Sequence, residues 1–324
     1  MPKIHRPRYG SLQVWPRKRA AKLLPSVNWE AIKEPKFKLP LLGFLGYKVG
    51  MAQAIVRDNT NFSASKGKQI AIPVSIIECP PMKIFSLRFY KNNNVAKEIL
   101  NENPDKELGR KMRLPKTTKT KEEIEKIQNE LNNYEDLRII IYTVVKKTTI
   151  KKTPDIIEVG LNGSIQEKFE FAKAHLSKEI IVSDILNKGQ IVDIRAVTKG
   201  RGLVGPVKRF GMGLKGYKSE KGVRRPGSLG AWTPSKVSMS VPLAGQTGFF
   251  SRVQYNNKVV DVESISKKNI NPKEGFQNFG NIKTDYIVVK GSVAGPSKRQ
   301  VIITSPLRVT KNILKQNLEI INLQ

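Results

Sequence analysis

Between Ala196 and Val260 the chain cannot build a hydrophobic core, and this limits its fold more than any other stretch. The segment AVTKGRGLVGPVKRFGMGLKGYKSEKGVRRPGSLGAWTPSKVSMSVPLAGQTGFFSRVQYNNKVV holds twelve Lys and Arg, eleven glycines and a single carboxylate, Glu220. Its apolar residues are few and its like charges repel, so it needs a polyanion to neutralise it before it holds a shape. RNA is the expected polyanion.

The rest of the chain agrees with that reading. Its 324 residues carry a formal net charge of +31. A protein making about six to ten phosphate contacts loses roughly 10³ to 10⁵ in affinity between about 50 and 200 mM salt, through counterion release. An anionic membrane would attract the same charge, but no basic amphipathic helix is evident. The most apolar run, Leu137 to Val145, falls far short of the roughly 20 residues of a spanning helix. Met1 to Lys22 has no apolar secretory core, so a soluble, cytoplasmic protein without membrane partners is expected. Cys79 is the only cysteine, which excludes an internal disulfide and the cysteine-rich zinc sites and reads as a buried, inert thiol. The two histidines, His5 and His175, support neither histidine catalysis nor a metal site.

Charge also divides the chain. Residues 1 to 22 contain seven Lys and Arg and no acid, with Pro2, Pro7, Gly10 and Pro16 breaking any helix. An extended basic arm is expected over residues 1–40, ordered on its partner, with His5, Arg6, Arg8, Arg17, Lys18 and Arg19 as candidate RNA contacts. From Leu41 the sequence reads as strands, LLGFLGYKVGMAQAIVRD and QIAIPVSIIECPP, joined by the polar turn Asn59 to Gly67. Residues 84–90 and Leu137 to Val145 continue a sheet. Thr120 with Glu123 and Ser164 with Glu167 fit capping boxes opening two helices. Residues 91 to 180 hold eighteen cations against fifteen acids, the mixed surface of a helical insertion on the β core. Gln190 to Thr198 alternates Val192, Ile194 and Ala196 inward with polar residues outward, a half-buried strand. Strands return at Val259 to Val262, Tyr286 to Lys290 and Gln300 to Thr304. The expected domains are therefore 1–40, 41–198, a basic extension 199–258 with its tip near 232, and 259–324. Strands flanking a long excursion suit a barrel with a projecting loop, in a mainly β protein with an α insertion.

Gly200 to Gly205 matches the G-x-G-x-x-G of dinucleotide sites. Such a site needs a helix opening on the pyrophosphate. Pro206, Gly211, Gly213 and Gly216 make that helix improbable, and the acid that should hold a ribose is replaced by a cationic run whose one exception is Glu220. The glycines instead let backbone approach RNA while Lys199, Arg201, Lys208 and Arg209 neutralise phosphates. Lys215, Lys218, Arg224, Arg225, Lys236 and Arg252 extend the same cationic surface. Trp232, between Gly230 and Pro234, has little local apolar matter to pack on. It either stacks in an RNA crevice or docks on the protein's own barrel. No catalytic constellation is present: there is no phosphate-binding G-x-x-x-x-G-K-[ST], no H-E-x-x-H and no G-x-S-x-G. Glu122 and Glu123 pair on the solvent side of a helix. No enzyme, cofactor, metal or small-molecule substrate is expected.

Seven ordered motifs carry a family resemblance: HRPRYGSLQVWPRKRA, FLGYKVGM, ECPPMK, VTKGRGLVGPVKRFG, RRPGSLGAWTPSKV, AGQTGFFSR and VVKGSVAGPSKR, between His5 and Arg299. Together they resemble the L-three family, the universal third protein of the large ribosomal subunit, in its archaeal and eukaryotic form. The resemblance implies a translation-factor-type β-barrel with a long N-terminal arm and a long central basic loop threading ribosomal RNA. It implies a tip approaching the peptidyl transferase centre, where Trp232 matches the family's tip tryptophan. It further implies a role early in subunit assembly, and neighbouring large-subunit proteins as partners beside ribosomal RNA. Gln246 matches the family's A-G-Q and is carried as an RNA contact, as are Lys298 and Arg299 of the last motif. Residues 208 to 240 contain no histidine, so the methylated histidine of eukaryotic members does not transfer. Ala231 and Trp232 stand where bacterial members have a modified glutamine. The sequence therefore reads as a structural RNA-binding constituent of the ribosome. An RNA-modifying or RNA-remodelling enzyme and a DNA-compacting architectural protein are the alternatives.

Overall fold

A computed structural model describes residues 15–32, 40–115 and 120–323. The chain divides into two compact units, Leu23–Ala196 with Arg252–Gln324, and Met1–Lys22 with Val197–Ser251.

The larger unit is built on antiparallel strands that the sequence marks as apolar runs. β1 (Gly43–Asp58) and β2 (Gln69–Cys79) pair along most of their length. The turn between them is fastened by the buried Asp58 carboxylate, which accepts from the Ser65 hydroxyl at 2.5 Å, the Thr60 amide at 2.9 Å and the Ser63 hydroxyl at 2.8 Å. These donors favour the charged form and hold the Asp58 carboxyl far below the usual range. β3 (Met82–Lys91), β4 (Asn94–Leu100), β5 (Asp136–Thr143) and β6 (Ile156–Gly160) form a four-stranded sheet in the order β4-β3-β5-β6. α1 (Thr120–Glu130) and α2 (Ile165–His175) lie between and after these strands in the chain. Residues 91–180 thus contribute three strands as well as two helices. A short α3 (Val182–Ile185) leads to β7 (Ile191–Val197).

β7 begins a second ladder. The chain returns in β10 (Ser251–Ser264), β11 (Asp285–Lys290) and β12 (Gln300–Thr304), then α5 (Lys311–Lys315) and β13 (Leu318–Leu323). The pairing order is β12-β7-β10-β11-β2-β1-β13, and β12 also pairs with β1. The ladder therefore returns on itself, so the strands of the ring expose no free backbone edge. The sixteen residues of β1 make this feasible: Gly43–Tyr47 pair with β12, and Ala54–Asp58 pair with β13. Phe44, Ile77 and Ile303 of the ring share one buried core with Leu87, Phe89 and Ile139 of the four-stranded sheet and Phe169 of α2. Trp29 joins this core because Gly43 and Gly160 leave it room. A Cβ on either glycine would lie 2.7 Å from the Trp29 side chain.

Several details depart from the sequence reading. The box at Ser164 forms, with Glu167 amide to Ser164 hydroxyl at 3.3 Å and Ser164 amide to Glu167 carboxylate at 2.9 Å. Thr120, by contrast, is the first residue of α1, and its hydroxyl donates to the Leu100 carbonyl at 2.7 Å. Tertiary packing claimed the hydroxyl that sequence spacing assigned to a cap. β7 is buried on both faces, not half-buried. Asp193, expected outward, is fully buried and accepts the Asn256 amide at 2.7 Å and the Leu307 amide at 3.0 Å. The C-terminal β13 and α5 were not anticipated. Cys79 is buried, and burial pushes its thiol well up, as an inert side chain requires.

Candidate nucleic-acid interface

The smaller unit is organised at its root and open beyond it. β8 (Gly202–Val204) pairs antiparallel with β9 (Gly245–Thr247), Leu203 opposite Gln246. α4 (Pro206–Phe210) follows β8, with proline at its start and Gly211 at φ 64° closing it. Proline lacks only an amide that a first turn leaves unbonded, and glycine alone adopts the left-handed exit freely. The expectation that Pro206 and Gly211 forbid a helix is thus corrected, because they bound a short one. The dinucleotide reading still fails. The glycine pattern runs into a short antiparallel strand pair, and the described strand pairings with a given direction are all antiparallel. A dinucleotide fingerprint sits at a turn from a parallel strand.

From Thr198 to Asn257 no residue is buried. Lys199, Arg201, Lys208, Lys218, Arg224, Arg225 and Lys236 are exposed and Lys215 is half-buried. Among the described residues none of these eight enters an ion pair. The ion pairs with stated geometry lie in the larger unit, as in the Arg88 and Arg138 network around Glu158. Uncompensated charge on unburied backbone is what a phosphate-binding segment presents before it meets phosphate.

Trp232 is 93% exposed, so docking on the protein's own surface is not observed. Tyr217 is 99% exposed and Leu203 80%. Sequence reasoning singled out Trp232 alone, although Tyr217 stands in the same poor apolar context between Gly216 and Lys218. Exposed aromatic faces among cations can stack on bases.

Two candidate cations are placed differently. The Arg17 guanidinium lies 4.7 Å from the Trp15 ring centre and 4.4 Å from that of Phe210, and the two rings stack at 5.8 Å. Arg209 donates from Nε to the Gln246 carbonyl at 3.0 Å and from Nη1 to the Leu243 carbonyl at 2.9 Å. The Gln246 side-chain amide donates to the carbonyls of Thr247 at 3.2 Å and Gly248 at 3.0 Å. Lys18 and Arg19 are exposed. In the larger unit, Lys298 is exposed at φ 67°, whereas Arg299 is half-buried and burial lowers its pKa. Arg252 is half-buried. His5, Arg6 and Arg8 lie outside the described residues. No helix among the described residues is long and apolar enough to cross a membrane.

With this geometry in hand, similarity to known proteins becomes informative. The family model for ribosomal protein L3 matches residues 1–324. The chain belongs to the ribosomal protein L3 family. Among L3 relatives, it is 43% identical over 319 residues to the large ribosomal subunit protein uL3 of Methanobrevibacter smithii, spanning 95% of this chain and 94% of that one. It is 40% identical to the uL3 of Methanococcoides burtonii, over 95% of this chain and 94% of the relative. The uL3 of Methanothrix harundinacea is 39% identical over 97% of this chain and 96% of its own length. The L3 match covers both the arm and the cationic excursion, so it is not a match of the strand ring alone.

Proposed function

We propose that this chain is a structural constituent of the large ribosomal subunit that binds ribosomal RNA through its arm and its central excursion and does no bond chemistry. The observation that carries the reading is the run from Thr198 to Asn257, in which no residue is buried while Lys199, Arg201, Lys208, Lys215, Lys218, Arg224, Arg225 and Lys236 enter no ion pair among the described residues. Family membership supports the ribosomal setting. The closed ladder supports a translation-factor-type barrel as the globular body, with residues 1–40 and 199–258 as the two RNA-threading extensions. Trp232, at the far end of the excursion in sequence, is the tip that reaches toward the peptidyl transferase centre. Lys199, Arg201, Lys208, Lys215, Lys218, Arg224, Arg225 and Lys236 are its phosphate contacts, as are Lys18 and Arg19 of the arm and, in the larger unit, Lys298 and Arg299. In this role the chain acts early in subunit assembly, in the cytoplasm, beside other large-subunit proteins. The enzyme alternative finds no support, because its one candidate cofactor motif runs into an antiparallel strand pair.

Sedimentation tests the proposal. The native protein should travel with the large subunit through a salt-washed gradient, and ribonuclease treatment should release it. Protein that stays at the top of the gradient in intact extracts, or that remains particle-bound after complete RNA digestion, overturns it.

A further inference from the structure

The smaller unit contains two kinds of arginine, and only one kind is free to meet phosphate. Arg224 and Arg225 are exposed and enter no ion pair among the described residues. Arg17 and Arg209 are committed. The Arg17 guanidinium lies over the Trp15 and Phe210 rings, and its Nη1 donates to the Arg209 carbonyl at 3.2 Å. Each of the three Arg209 guanidinium nitrogens donates to a backbone carbonyl, the third bond running from Nη2 to Arg17 at 3.5 Å. The Arg209 guanidinium also lies 5.1 Å from the Phe210 ring centre. A guanidinium used this way has spent the planar fork that would grip a phosphate.

These bonds join three distant pieces of chain: the segment after Trp15, the end of α4, and the strand β9. The Ala20 amide adds a backbone bond to the Phe249 carbonyl at 2.8 Å. Gly245 lets Arg209 approach, since a Cβ there would lie 2.8 Å from Nη1. Toward the tip the hydrogen bonds turn local. Ser228 hydroxyl to Gly230 carbonyl and Ser235 hydroxyl to Trp232 carbonyl span two and three residues. Root and tip therefore differ in what holds them.

We infer that Arg17 and Arg209 are positioning residues, which with Trp15 and Phe210 clasp the arm to the root of the central excursion before any RNA is bound. The two extensions then enter RNA as one preformed fork rather than as two independent chains. The clasp itself is a property of the free protein; only its use in RNA binding rests on the function proposed above.

The test uses Arg209→Lys and Arg17→Lys in the full chain, which keep the charge and the tryptic cleavage sites but cannot rebuild a planar fork. In the RNA-free wild type, trypsin should cut after Arg224 about tenfold faster than after Lys199 and Arg201, because local opening is costlier at the root. Arg209→Lys should bring root cleavage up to the tip rate, with Arg17→Lys giving a smaller rise. Thermal unfolding of the strand core should not move, which separates the clasp from a general stabilising role. Binding of each variant to purified large-subunit ribosomal RNA, titrated against salt, supplies the second arm. Arg209→Lys should weaken binding with the salt slope unchanged, whereas Lys208→Ala should lower the slope by about 0.7 to 0.9. Equal root and tip cleavage in the free wild type, or unaltered root cleavage in Arg209→Lys, overturns the clasp. A slope loss in Arg209→Lys matching that of Lys208→Ala returns the residue to phosphate binding. If even the wild type fails to bind the RNA, the proposed function falls while the proteolysis still decides the clasp.

Discussion

Replacing Trp232 by alanine separates the free protein from its complex more sharply than any other change. In the free protein the ring is 93% exposed, and the Ser235 hydroxyl bonds its carbonyl, which alanine retains. No packing is lost, so the change in unfolding free energy should stay within about 0.5 kcal/mol, the range of ordinary surface substitutions. On RNA the ring is expected to stack on a base, worth about 1 to 3 kcal/mol, which corresponds to an affinity loss of roughly 5- to 150-fold. The indole carries no charge, so the salt slope should be unaltered. Filter binding to large-subunit RNA at several salt concentrations, beside thermal unfolding of the free protein, reads all three quantities. Trp232→Phe should fall between wild type and alanine because a smaller ring still stacks. In cells, Trp232→Ala should give assembled subunits with altered behaviour at the A-site. Equal affinity for wild type and alanine, or a free-protein unfolding loss of several kcal/mol, would refute the reasoning.

Three further outcomes follow from the geometry. Asp193→Ala should cost about 2 to 5 kcal/mol in urea unfolding, because it orphans the backbone amides of Asn256 and Leu307; a loss below about 1 kcal/mol would mean water replaces the carboxylate. Gly248→Ala should loosen the root, since its φ is 71° and a Cβ would lie 2.0 Å from the Lys199 carbonyl oxygen. Faster hydrogen exchange at the Arg201 amide, which bonds the Thr247 carbonyl, would register it, and unchanged protection would count against it. Glu78 is fully buried, one carboxylate oxygen has no hydrogen-bond partner, and burial raises its pKa above the unfolded value. Its contribution is therefore complete below the unfolded carboxylate pKa and is lost as pH rises through the folded one. Relative to Glu78→Gln, whose amide carbonyl can still accept from Lys283 and Thr284, wild-type stability should fall across that window. A wild-type advantage that grows with pH would reverse the sign and sink the argument.

The fold was legible where periodicity and burial coincide. The apolar runs of β1 and β2 marked strands, buried throughout over Gly43–Tyr47 and Val74–Cys79, and the Ser164 box closes where the sequence placed it, because a local bond between neighbours needs nothing from elsewhere in the chain. Thr120 and Asp193 were misread for the opposite reason. Their partners, Leu100 in one case and Asn256 and Leu307 in the other, lie far along the chain, and a residue's polarity says nothing about a remote amide waiting for it. The same limit applies to the interface. Charge and glycine content marked the excursion, yet they could not tell Arg209, which bonds carbonyls, from Lys208, which is exposed beside it. Phe210 held the one local clue, an aromatic residue next to an arginine in a segment with little else to pack on.

That distinction alters what the cationic segments need from their partner. Charge repulsion alone would leave the whole of residues 197–251 without form until a polyanion arrived. Two arginines evade this at the root by giving hydrogen bonds to carbonyls and standing over aromatic rings, which spreads their charge over neutral dipoles rather than pairing it with acids. The tip does not do the same, because among the described residues Arg224 and Arg225 have no ring contact and the Ser228 hydroxyl bonds within its own turn. Ordering the tip must then be supplied by phosphate and base contacts, while the root has already met its own cost. A chain built this way loses less conformational entropy on binding than one disordered throughout, and it presents its stacking residue from a fixed base.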